Sequence, residues 1–185
     1  MQILLFGILA VGIILALWFN VRSRQIAQRY PAQLAEPHAT PSAKWRANLK
    51  QLYGLSALTP QLYQANRAVL RWQTGFLVTV AAALAILVGA TQLTTVALIW
   101  PILTGVSAVG FGWSRIHLFA TQLTAWQQLY QQAPEKIQEF THSQIDMDQL
   151  QQRAHALMQV QYVMIAAFLL LAIDLEIAFV TLLPW

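Results

Sequence analysis

Two carboxylates, Asp174 and Glu176, stand within the apolar run from Val160 to Leu182, and they are the only ionised side chains inside the chain's apolar stretches. A carboxylate in hydrocarbon is costly, and it marks an ion pathway, a partner or a protonated acid. Two residues on a helix subtend about 200°, so this pair points to nearly opposite faces and cannot work as one acid site. At most one faces the protein's own interior. The other faces a second subunit, snorkels to the surface or stays protonated. The α-amino group of Met1 is the one cation that the chain itself could bring to Glu176.

Histidine offers a weaker constellation. His117 and His155 sit at similar depth on neighbouring helices, as the axial ligands of a b-type haem would. They flank the apolar spans beside Arg115 and Arg153 rather than lying inside them, and His38 and His142 fall in loops. No cofactor is therefore expected. The absence of cysteine excludes thiolate chemistry, iron–sulfur ligation and any zinc site that needs sulfur. No HExxH, GxSxG or Walker spacing occurs, so neither a metal site nor an enzyme is expected.

Such residues need a scaffold, and composition gives its class. Of 185 residues 57% are hydrophobic and 10% charged, whereas soluble domains average about 25% charged. A soluble enzyme domain, a disordered tail and a nucleic-acid module are excluded. The fold class expected is an all-α membrane protein with four transmembrane helices extended into a cytoplasmic helical bundle. A span needs roughly 20 apolar residues, and four stretches qualify: 1–20, 74–92, 95–114 and 160–182. The first has its arginines after the apolar run and no convincing cleavage site, so it reads as a retained anchor rather than a secretory signal.

Every Lys and Arg falls between spans one and two or between spans three and four. Cations resist translocation, so both loops are placed in the cytoplasm and both termini outside. Trp18, Trp72 and Trp113 would form the inner aromatic belt, with Trp100 and Trp185 the outer one. A bacterial plasma membrane is the expected home. Arg22, Arg24, Arg67 and Arg71 serve most simply as topology determinants and contacts for anionic lipid headgroups. The cations of the first loop are spread over some fifty residues without a reading motif, which argues against nucleic acid.

The basic loop, 21–73, is broken by prolines between Pro31 and Pro41, resumes as a helix near Ser42–Ala43, breaks again at Gly54 and restarts at Pro60. Leu58, Leu62, Ala65, Val69, Trp72 and Phe76 then alternate at spacings of four and three, so this helix runs unbroken into span two. The Gln-rich loop, 115–159, repeats the device. Phe119, Leu123, Trp126 and Tyr130 continue span three outward, Ala133-Pro134 turns the chain, and Asp146 or Asp148 starts a helix whose seam is Leu150, Ala154, Leu157, Gln161, Met164 and Phe168. Gly105, Gly110 and Gly112 give span three a small-residue surface for close helix packing.

The function expected is non-catalytic: an accessory, assembly or scaffold subunit of a membrane complex, partnered by another membrane protein or by its own copies. The alternative is a small channel or transporter subunit in which Asp174 or Glu176 binds a proton or cation.

Overall fold

Hydrocarbon offers a peptide group no hydrogen-bond partner, so a long apolar run must close its backbone bonds within itself, as a helix. The computed structural model describes residues 2–29, 59–89, 94–132 and 146–182. It contains four helices: α1 (Gln2–Arg29), α2 (Pro60–Gly89), α3 (Thr95–Gln132) and α4 (Met147–Leu182). All four are long and apolar enough to cross a membrane, and no strand occurs among the described residues. With 38 residues, α3 is about 57 Å long, nearly twice a hydrocarbon thickness of about 30 Å. The excess stands outside the membrane, where α2, α3 and α4 continue as a helical bundle.

Local chemistry starts these helices where the sequence predicts. Pro60 opens α2, needing no N–H in a first turn, and the Thr59 carbonyl accepts from the backbone N–H groups of Leu62 (3.0 Å) and Tyr63 (3.4 Å). The Thr94 hydroxyl accepts from the N–H of Ala97 (3.3 Å) ahead of α3. Asp146 Oδ1 accepts from the N–H groups of Asp148 (3.0 Å) and Gln149 (3.2 Å) and so caps α4. The proline-rich break, the helix start at Ser42–Ala43, Gly54, Leu58, the Ala133-Pro134 turn, Met1 and Trp185 lie outside the described residues.

The helices stand in antiparallel sequence: α2 along α3, α3 along α4, and α4 along α1. Three apolar centres hold them. Leu62, Ala125, Trp126 and Leu129 form the core of the extension, closed by Met147 and Leu150 of α4. Val69, Phe111 and Met164 form the middle one, with Phe19 of α1 against it. Ala83, Ala97, Leu175 and Phe179 form the one farthest from the extension. Phe76 of α2 stacks on Phe168 of α4 with centroids 4.6 Å apart.

The predicted α2 seam is buried at Leu62, Ala65, Val69 and Phe76. Trp72 departs from it: its indole stays 41% exposed because the ring lies across Gly110 of α3. On α3 the seam is shifted by one residue. Trp126 is buried as expected, but Ala125 and Leu129 share the core while Tyr130 is 52% exposed, and Phe119 instead lies under the Arg115 guanidinium, 5.9 Å from its ring centre.

Backbone approach decides which glycines matter. A methyl at Gly110 would overlap the Trp72 ring, and one at Gly112 would overlap Ile165 of α4. At Gly105 it would meet Ala172 Cβ at 3.6 Å, an ordinary contact, and at Gly75 it would meet nothing. Gly110→Ala and Gly112→Ala should therefore each lower stability by about 1–3 kcal/mol through overpacking, with Gly75→Ala neutral or slightly stabilising. Thermal unfolding in a mild detergent checks this, and equal effects at all three positions would contradict it.

Candidate functional site

The acid pair separates as the helical phase requires. Asp174 is buried, at 7% exposure, and Glu176 is exposed. Gly12 fixes the side of α4 that α1 covers, since a Cβ there would stand 3.8 Å from the Ala167 carbonyl oxygen and 3.9 Å from Leu170 Cβ. Asp174 follows Ala167 by seven residues and so returns to that face, while Glu176 is turned away from it. The beginning of α1 thus lies on the side of Asp174, and the Met1 amine invoked for Glu176 lies outside the described residues. Asp174 Oδ1 is buried and receives no hydrogen bond.

Other polar groups within the spans mostly satisfy one another. The hydroxyls of Thr79 (α2) and Ser107 (α3) are 3.0 Å apart, Ser107 donates to the Thr104 carbonyl at 3.0 Å, and Thr104 donates to the Trp100 carbonyl at 2.9 Å. This chain ties α2 to α3 one turn beyond Gly110. Gln161, at 1% exposure, keeps its Oε1 without a donor on the face of α4 that carries Phe168. The sequence placed Gln161 in an apolar seam; its burial follows from that position, and its cost from the amide.

Outside or at the edge of the spans, two of the grooves with polar lining among the described residues lie between helices. The larger, about 550 Å³, runs between α2 and α3. Ala65, Ala68, Ala120 and Ala125 give its floor, and Gln61, Gln64, Gln128, His117, Thr121 and Thr124 its rim. Thr121 and Thr124 donate back to the carbonyls of His117 (2.8 Å) and Ala120 (3.1 Å). The smaller, about 280 Å³, lies between α1 and α4 and is lined by Trp18, Arg22, Gln25, Ile26, Ala156, Gln159 and Val160. Neither was legible in the sequence, because each is built from small or polar side chains of two different helices, whose facing sides spacing alone does not pair.

His117 and His155 do not converge. His117 lines the α2–α3 groove, whereas His155 lies with Asp148, Gln151 and Gln152 on α4, its Nδ1 2.9 Å from the Gln151 carbonyl oxygen. No cluster of three or more metal-ligating side chains occurs among the described residues.

No family model, curated protein or solved structure matches the chain.

Charge is sorted along the structure. Arg22, Arg24, Arg67 and Arg71 are exposed, and with Arg29, Arg115 and Arg153 they occupy the end of the assembly that carries the extension. Asp174 and Glu176 lie toward the other end. Burial lowers the guanidinium pKa of Arg115 and of Arg153 from the ordinary arginine value, and Arg115 rests 5.7 Å from the Phe111 ring centre.

Asp174 offers a direct stability test. An unsatisfied buried oxygen costs free energy, so Asp174→Leu should stabilise the protein in detergent by about 1 kcal/mol, while Glu176→Gln should change it by less than about 0.5 kcal/mol. A lower unfolding midpoint for Asp174→Leu would show instead that the carboxylate holds helices together.

Proposed function

We propose that this protein is a non-catalytic accessory or scaffold subunit of a complex in a bacterial plasma membrane, with its termini outside and its helical extension in the cytoplasm. The observation that carries this reading is the α2–α3 groove. Its alanine floor lets a helix approach closely, and its amide and hydroxyl rim supplies hydrogen bonds without charge. Its occupant is a helix of a partner protein, with small residues facing the floor. The orientation is supported by the arginines gathered at the extension's end.

A second reading is favoured by one feature. Asp174, buried in a span with Oδ1 unpartnered, suits proton or cation binding in a small channel or transporter subunit.

The two separate by experiment. Purified from its own membranes in mild detergent, the protein should retain a stoichiometric membrane partner, and Ala120→Leu, which fills the groove, should release it while leaving the helical circular dichroism unchanged. Retention of the partner by Ala120→Leu would remove the groove from the interface. In proteoliposomes the accessory reading predicts no proton or cation flux above empty vesicles; flux abolished by Asp174→Asn would establish the transport reading in its place.

A further inference from the structure

The smaller groove has a composition and a depth that the accessory role does not use. It opens where the span of α1 ends, at Trp18 and Arg22, and where that of α4 begins, at Val160. Ile26 and Val160 are buried and give it apolar walls. Its mouth carries Arg22, Gln25, Gln159 and the Trp18 indole, and among the described residues no acid lines it. Arg22 Nη1 donates to Gln25 Oε1 at 3.2 Å, which steers the guanidinium and leaves its other donors for an anion. A fork of N–H groups matches a phosphate bidentately.

Donors at the hydrocarbon boundary, with the Trp18 indole and Val160 on its hydrocarbon side and Ile26 one turn farther out, describe a site for an amphiphile with an anionic head. We infer that the groove between α1 and α4 binds one anionic phospholipid, its phosphate on Arg22, its glycerol region against Gln159, and its chains entering the hydrocarbon past Trp18 and Val160. Gln25 is a positioning residue, holding Arg22 over the opening. Arg24, two residues on and about 200° around α1, points away from the groove and takes part only in general attraction to the membrane surface. The site rests on the membrane-spanning assignment and on neither the accessory role nor the orientation, so loss of the partner interaction would leave it standing.

The test is native mass spectrometry of the full chain in mild detergent, titrated with phosphatidylglycerol, with phosphatidylcholine and inorganic phosphate as comparators. One phosphatidylglycerol should bind in preference to phosphatidylcholine and resist millimolar phosphate. Arg22→Gln should weaken it by about tenfold, the scale of one charge-assisted hydrogen bond. Arg22→Lys should restore part of the loss, and Arg24→Gln should cost about threefold or less. Equal losses at Arg22 and Arg24 would mean diffuse charge alone; equal binding of phosphatidylcholine would mean a groove indifferent to the head; displacement by inorganic phosphate would mean an anion site without lipid. Each overturns the proposal. Should Arg22→Gln fail to fold, Gln159→Leu is the second variant: a loss of about threefold supports the site, and unchanged binding refutes it.

Discussion

The membrane part of this structure, on which the rest is built, follows from one constraint, the absence of hydrogen-bond partners in hydrocarbon. It makes each apolar stretch an uninterrupted helix, and it decides what polar side chains do there. Thr79, Thr104 and Ser107 close on one another or on carbonyls. Pro101, buried in α3, lies beyond the first four residues of that helix, so it forgoes one backbone hydrogen bond there. Against this pattern of satisfied groups, Asp174 Oδ1 and Gln161 Oε1 stand out as buried oxygens with no donor. Among the described residues of the spans, they are where the chain accepts a cost that packing does not explain.

The same constraint shapes the packing. Helices surrounded by lipid gain little from hiding apolar side chains, so they associate through close fit and a few polar contacts. The Trp72 ring over Gly110 and Ile165 over Gly112 are such fits, and the Thr79–Ser107 pair is such a contact. Beyond the membrane the rule changes. In the extension Leu62, Trp126 and Leu129 are buried as in a soluble bundle, and here water supplies the drive. α1 shares little of this core: it packs mainly on α4, which leaves the groove at Arg22 open along its edge.

How far this could be read from the sequence depends on which residues carried contrast. The helix starts at Pro60 and Asp146 were legible because each has a local mechanism. The alternation of Leu62, Ala65, Val69 and Phe76 against polar neighbours gave the buried face of α2. On α3 two apolar stripes run side by side, Leu118 to Leu129 and Phe119 to Tyr130, and spacing cannot choose between them; the position of α4 does. α1 is apolar on all sides over its membrane stretch, so nothing in its periodicity named its neighbour. The opposed directions of Asp174 and Glu176 followed from helix geometry, but which one is buried followed only from where α1 lies. Both grooves depend on small or amide side chains from different helices, which carry no signal in one dimension.

Charge ties the membrane assignment to function. Seven described arginines gather at the end that bears the extension, and the two intramembrane acids lie toward the other. This asymmetry is what supports the proposed orientation, and that orientation decides which compartment sees the glutamine-rimmed groove. The native chain has no cysteine, so a single introduced thiol reports without background. The most direct measurement is labelling of Gln127→Cys and Gln151→Cys, both exposed on the extension, with a membrane-impermeant maleimide. Labelling only after the membrane is permeabilised is the predicted result; labelling in intact cells would place the extension outside and contradict the account.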